Sequence, residues 1–517
     1  MTMSVVGVLA GTAERRPEHP AVVYESEHFT YGWLWDQARR YAAVLRDNGV
    51  RPGDRVAMLL PDTPQFPVVY FGVLAAGAVV VPLSVMATAA ETGHVLTDAD
   101  ARFLVCAASL LDRASKEAAE RRGTLLLTVG PGPSGTVDLE HAAQGTAPID
   151  EAVVPEPDEV AVVFYTSGTT GEPKGVMLTH RNILYNVERM VTTPYAFRGD
   201  DVLLGCLPLA HGFGQICGML TGFRAGISLV MMPKFSGREA LALMTEHRCT
   251  VFMGVPTMYS KLLDAVAQGG RVPRLDRVYS GGSALPVKTL EAVRSTFECP
   301  VYEGYGMTET SCSVAYHYPG LTFRPGTVGV PITGITVGTA RPNADGIELL
   351  PVGEVGEIVV RGQNVMAGYL GRPDLTAEAV TDGWFRTGDL GRLDGDGYLS
   401  VVGRKKDLIL RGGYNVYPRE IEEILVGHPA VAQVAVIGVP HPVLGEEVWA
   451  IVVPARTADG TPGSGEEIIE WGRQRLAAYK YPRRVEFLDA LPLGTSGKVL
   501  KRTLVEKYEK HSPQAVA

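Results

Sequence analysis

Residues 165–180 read YTSGTTGEPKGVMLTH. The stretch follows a compact apolar run, Val160 to Tyr165, that reads as a buried strand, and it precedes a helical pattern beginning near Arg181. Between the two lie glycines, hydroxyls and one lysine. Gly168, Gly171 and Gly175 let the backbone turn sharply and present its N–H groups. Thr166, Ser167, Thr169 and Thr170 add hydroxyl donors, and Lys174 adds a mobile positive charge, so the loop has the parts needed to hold a polyphosphate. It is not a Walker A loop. That motif places its lysine between a glycine and a Ser or Thr at the start of a helix, whereas Pro173 precedes Lys174 and Gly175 follows it.

Working outward, 517 residues are too many for one small core and predict two to four domains or subdomains. A hydrophobic content of 46% with 20% charged residues is that of an ordinary globular protein, and a net charge of -9 without a basic run argues against nucleic acid or an anionic membrane as partner. The six cysteines are scattered with no close CxxC pair, which reads as reduced, mostly buried thiols in a cytoplasmic protein. Met1–Ala10 lacks the positive flank of a secretory signal. Phe66–Leu83 is uncharged and nearly membrane-length, yet Pro67, Gly72, Gly77 and Pro82 predict a buried helix, a turn at Gly77 and a core strand, with no membrane span.

From Met1 to about Gly403, helical and apolar strand patterns alternate: a helix around Trp33–Asn48, then strands at Arg55–Leu60, Phe103–Cys106 and Leu125–Val129. Such alternation predicts parallel sheets with helices on their faces. Val129–Glu156, rich in Gly, Pro and Ser, reads as a surface connection. After Tyr417 the pattern changes to helix Pro418–Leu425, strands Val431–Val439 and Glu447–Val453, helix Glu466–Leu476 and strand Arg484–Phe487, a compact α+β unit.

Further along the chain come LPLAHGFG (207–214), MGVPTMY (253–259), YSGGSALP (279–286), YEGYGMTET (302–310), GWFRTGDLG (383–391), GRKKDLILRGGYNVYPREIE (403–422) and LPLGTSGKVLKRTL (491–504). Together with the opening stretch, in this order and over nearly the whole chain, they resemble the signatures of the acyl-adenylate-forming superfamily, in its acyl-CoA synthetase branch. The resemblance implies an α/β fold: a large N-terminal domain of alternating helices and sheets (1–403), a hinge (404–406, with Lys406 as the hinge residue) and a small mobile α+β C-terminal domain (407–517).

It also implies roles. Thr166 to Gly171 and Lys174 would hold the phosphates of ATP, and Gly282, Ser283, Glu303, Gly304 and Tyr305 would bind the nucleotide, with adenine on the flat face of Tyr305. Thr308 would contact the α-phosphate, and Glu309 would give Mg²⁺ a hard oxygen ligand. Asp389 would accept both ribose hydroxyls, as acidic residues do in dinucleotide sites, with Arg404 as a second ribose contact. His211, Gly254, Val255, Gly281, Gly306 and Met307 would line the acid pocket, the glycines leaving room for a bulky or elongated apolar tail. Pro208, Leu209 and Ala210 stand where amino-acid-activating relatives carry an Asp, which argues against an α-amino acid. Lys498 would be the catalytic lysine, and Gly412 and Gly413 would line the path of coenzyme A.

The implied activity is an AMP-forming acyl-CoA ligase for an apolar carboxylic acid, a medium- to long-chain fatty acid or a bulky specialised-metabolite acid. Its cosubstrates would be ATP, Mg²⁺ and coenzyme A. A stand-alone adenylating enzyme that passes acyl-AMP to a separate carrier protein or second ligase is the alternative, and a homodimer stays open. A non-catalytic nucleotide-binding protein is disfavoured because Lys498, Glu309 and Asp389 are all present.

Overall fold

The computed structural model describes residues 4–112, 123–166, 173–455, 463–494 and 499–509. The near-membrane-length stretch resolves as expected. Helix Gln65–Ala75 is buried over almost its whole length, Gly77 adopts φ +82°, and Val79–Leu83 forms a fully buried strand. A left-handed turn there requires glycine. No helix of the described residues is long and apolar enough to cross a membrane.

The large N-terminal part holds two sheets whose central strands are parallel. An eight-stranded sheet contains Val79–Leu83, Arg55–Leu59, Phe103–Ala107 and Leu125–Val129 side by side. Val160–Thr166 continues it in parallel from Val79–Leu83, and Lys174–Thr179 then folds back antiparallel onto Val160–Thr166. A nine-stranded sheet places Val301–Tyr305, Arg277–Ser280, Val251–Gly254 and Val202–Gly205 next to one another, all parallel. The fully buried strands Val79–Leu83, Phe103–Ala107 and Val251–Gly254 suit sheets covered on both faces.

Three expectations are corrected. Residues 336–404 do not continue the parallel alternation: Thr336–Ala340, Gly356–Arg361, Val380–Thr381, Trp384–Leu393 and Leu399–Arg404 form an antiparallel sheet. Val129–Glu156 is more than a surface connection. It contains strand Val137–Asp138 and helix Leu139–Gly145, which Asp138 caps by accepting from the Glu140 and His141 N–H groups and which buries Leu139 and Ala143. Finally, the opening stretch leads into a strand, Lys174–Thr179, before its helix begins at His180.

The C-terminal unit has its own antiparallel core, in which Val431–His441 and Gly445–Pro454 form a long pair. Ile409, Ile421, Leu425, Val436 and Val448 pack on one face, and Trp449, Leu491, Leu504 and Tyr508 on the other. Among the described residues the six cysteines form no disulfide; five are buried and Cys312 is half-buried.

Candidate active site

Four of the motifs leave the carboxyl ends of adjacent parallel strands: Cys206–His211 after Val202–Gly205, Val255 after Val251–Gly254, Gly281–Leu285 after Arg277–Ser280, and Gly306–Thr310 after Val301–Tyr305. Such strand ends are where open α/β sheets bind ligands, because the loops there diverge from a rigid platform.

The phosphate stretch is a hairpin from the other sheet, with Thr166 opposite Lys174 in the ladder. Ser167, Gly168, Thr169, Thr170 and Gly171 lie outside the described residues, as does Lys498. Gly175 is part of the strand and not of a turn. A Cβ there would come within 2.9 Å of Val163 Cγ1 and 3.1 Å of the Tyr165 ring, so its role is close approach. Helix Ala89–Asp98 braces the hairpin base: His94 Nε2 donates to the Pro173 carbonyl at 3.1 Å, and Asp98 accepts from the Tyr165 hydroxyl at 2.7 Å and from Arg372 at 3.3 Å.

Thr308, Glu309 and Thr310 form one helical turn, followed by two left-handed non-glycine residues, Ser311 (φ 50°) and Cys312 (φ 71°). That costly backbone is over-determined by buried amides. Asn186, from helix His180–Thr192, donates to the carbonyls of Thr310 and Ser311, and Asn364 donates to those of Thr310 and Ser313. Gly304 and Gly306 serve packing here, since a Cβ would strike the Tyr316 ring and the Cys312 carbonyl respectively. The Met307 N–H and carbonyl are both bonded to the Thr310 hydroxyl.

Tyr369 was not foreseen from the sequence. Its hydroxyl donates to Glu309 Oε1 at 3.1 Å, and Lys174 Nζ lies 5.4 Å from the centre of its ring. Burial first, and then the Glu309 charge, push its phenol pKa up, so the hydroxyl remains a donor. The fit to Mg²⁺ rests on this carboxylate. Among the described residues no three Asp, Glu, His or Cys side chains gather as a metal cage, and Mg²⁺ is typically held by one or two carboxylates together with substrate phosphates.

Asp389 and Arg404 face each other across two antiparallel strands, with Arg404 Nε 3.3 Å from Asp389 Oδ1. The Tyr305 hydroxyl donates to the other oxygen, Oδ2, at 2.8 Å, a tie the sequence did not reveal. The predicted adenine and ribose residues are thereby linked.

On the acid side, half-buried His211 precedes a π-helix, Phe213–Leu220, an uncommon winding that often marks functional sites. The expected room beside the glycines is largely filled. A Cβ on Gly254 would meet the Phe252 ring at 2.7 Å, one on Gly281 the Phe213 ring at 3.0 Å, and one on Gly282 Val255 Cγ1 at 3.3 Å. Gly282 needs its φ of +80° for the bend that leaves Ser283 exposed. Asp62, also unforeseen, accepts from the Leu209 N–H at 3.0 Å, and burial pushes its carboxyl up to about 6. Glu303 points behind the Gly281–Leu285 bend and accepts from the Leu285 N–H at 3.3 Å. Burial raises it to about 7, against the opposing pull of Arg419.

In the small domain, Gly412 (φ 56°) and Gly413 (φ 83°) are the two central residues of a hairpin between Arg411 and Tyr414, a turn that demands positive φ at both places. Both are exposed in this arrangement. Lys406 sits in the turn Lys405–Asp407 that joins the antiparallel sheet to this domain, its pKa lowered by burial and then by Arg404. Arg419 donates across the junction to the Val401 carbonyl.

Two family models match the chain, AMP-binding enzyme over residues 9–370 and AMP-binding enzyme C-terminal domain over 420–498. The chain is 39% identical to a feruloyl-CoA synthase of Amycolatopsis sp, over 96% of its own length and 97% of that protein. It is 34% identical to ScoC of Streptomyces coeruleorubidus, a fatty acid–[acyl-carrier-protein] ligase, over 96% and 95%. The ATP-bound crystal structure of MatB from Rhodopseudomonas palustris superimposes with a TM-score of 0.90 at 34% identity, covering 99% of this chain and 100% of that one. The chain belongs to the AMP-binding enzyme family, in the acyl-CoA synthetase branch of the acyl-adenylate-forming superfamily. Its class is that of the AMP-forming acid–thiol ligases.

Proposed function

We propose that this enzyme activates an apolar carboxylic acid with ATP and transfers the acyl group from acyl-AMP to coenzyme A. The observation that carries this reading is the convergence of three distant segments: Lys174 and Glu309 both contact Tyr369, and Asp389 with Arg404 is tied to the strand end before Glu309 through Tyr305.

Lys174 and the loop before it hold the leaving phosphates, and Asp389 and Arg404 hold the ribose. Thr308 steadies the α-phosphate while the acid oxygen attacks it and pyrophosphate leaves. Glu309 is the residue that would hold Mg²⁺, whose contribution is to neutralise charge on the phosphates. No enzyme nucleophile is needed, because positioning and charge stabilisation do the chemistry. Lys498 supplies an ammonium between two anions, which at about 4 Å and an effective dielectric near 20 contributes about 4 kcal/mol. The small domain, 407–517, then turns about Lys406 and brings Gly412 and Gly413 to the acyl-adenylate for thiol attack.

Incubation with ATP, coenzyme A and a panel of aliphatic and aryl acids, read by mass detection of the thioester, tests the reading. Acyl-CoA is expected, and acyl-AMP without acyl-CoA would contradict it. The likeness to ScoC favours a second reading, in which the acceptor is the phosphopantetheine arm of a separate carrier protein. Replacing coenzyme A by a holo carrier protein in the same assay separates the two.

A further inference from the structure

We propose that Tyr369 is a positioning residue of the adenylation site, orienting the carboxylate of Glu309 through its hydroxyl and holding the ammonium of Lys174 over its ring. The proposal rests on the reading of Glu309 as the carboxylate for a divalent cation.

The placement of Tyr369 is rigid. Gly368 and Tyr369 pair antiparallel with Met177 and Val176 on the strand that begins at Lys174. The flanking backbone is zippered to that strand by Ala367 N–H to the Met177 carbonyl (3.0 Å) and Leu370 N–H to the Gly175 carbonyl (2.8 Å). The Tyr369 N–H donates to Thr376 Oγ1 at 2.9 Å. The same segment reaches the metal turn, where the Met366 N–H donates to the Glu309 carbonyl at 2.8 Å. One short edge strand therefore registers the phosphate hairpin against the Glu309 turn.

The side chain completes that registration. Its hydroxyl donates to Glu309 Oε1 at 3.1 Å, and its ring underlies Lys174 Nζ at 5.4 Å. A neutral phenol orients a carboxylate without cancelling its charge, and an aromatic face attracts an ammonium without drawing it into an ion pair. Tyr369 thereby aims the Lys174 ammonium for the polyphosphate and the Glu309 carboxylate for the cation. Groups that hydrogen-bond a metal ligand orient it and tune its affinity, which gives the phenol a measurable effect.

The test measures binding as well as turnover. In Tyr369→Phe the ring stays and the hydroxyl goes. Its melting midpoint is expected within about 2 °C of wild type and its affinity for ATP without divalent cation within about twofold. Mn²⁺ binding to the enzyme–ATP complex, titrated by electron paramagnetic resonance, should weaken about tenfold. Tyr369→Leu, which also removes the aromatic face, should in addition weaken metal-free ATP binding by about threefold or more. In a Glu309→Gln background Tyr369→Phe should have no further effect on Mn²⁺ binding. Wild-type Mn²⁺ affinity in Tyr369→Phe, or an equal loss in the Glu309→Gln background, overturns the proposal. Undiminished Mn²⁺ binding by Glu309→Gln alone would instead overturn the metal assignment beneath it.

Discussion

Arg404 stands opposite Asp389 in the ladder between two antiparallel strands, its Nε 3.3 Å from the buried Asp389 carboxylate. The pair fixes an acceptor whose second oxygen already receives the Tyr305 hydroxyl. Asp389→Asn should therefore lower kcat/KM for ATP by about 10- to 100-fold, the effect of losing a charged hydrogen-bond acceptor. The KM for the acid should stay nearly unchanged. Tyr305→Phe, which removes only the tie between the two, should lose less than about tenfold. Steady-state kinetics with each substrate varied in turn separates these outcomes.

Glu303 should make stability depend on pH. Burial raises its carboxyl from an ordinary 4.5 to about 7, so between those values the folded chain keeps a proton that the unfolded chain has released. Stability accordingly falls as pH rises through that window, by about 3 kcal/mol in all. Glu303→Gln retains an acceptor for the Leu285 N–H and removes the ionisation. Its melting midpoint should change less between pH 5 and pH 8 than that of wild type, and equal slopes would refute the assignment.

Gly413 has open space beside it but a φ of 83°. Any L-residue there carries about 1–2 kcal/mol of local strain. Gly413→Trp should slow thioester formation strongly while leaving acid-dependent pyrophosphate exchange within about threefold of wild type. Gly413→Asn, which tolerates the left-handed conformation, should fall between the two. Exchange and thioester synthesis measured on the same preparations decide this.

Phe213 lies against Gly281, and on the proposed reading it closes the end of the acid pocket. Phe213→Ala should open the end of the pocket and raise kcat/KM for acids longer by a few methylenes, about tenfold for two more buried CH₂ groups. Short and planar acids should gain nothing. A chain-length series assayed by pyrophosphate release reads the shift.

Local patterns carried much of this architecture. The strand at Val160, the helix–turn–strand around Gly77 and the elements after Tyr417 follow from apolar periodicity and glycine placement, and the structure has them within a few residues. The strand Lys174–Thr179 was hidden because its pairing partner, not its composition, makes it a strand. It also runs directly into the helix cap formed by Thr179 and Asn182. Tyr369, Asn186, Asn364 and Asp62 reach the site only through contacts between distant segments, so no local spacing marks them. The glycines of the acid motifs misled for a related reason. Absence of a side chain predicts close approach as readily as an open pocket, and at Gly254 and Gly281 an aromatic ring takes the space.

On the proposed reading the first half-reaction is attack of a carboxylate on the α-phosphate of ATP. Exchange of labelled pyrophosphate into ATP tests it most directly, run with and without each acid of a broad panel. Exchange is expected to require an acid and to fall by about three powers of ten in Lys498→Ala. Absence of exchange with every acid, or exchange that needs no acid at all, would contradict it.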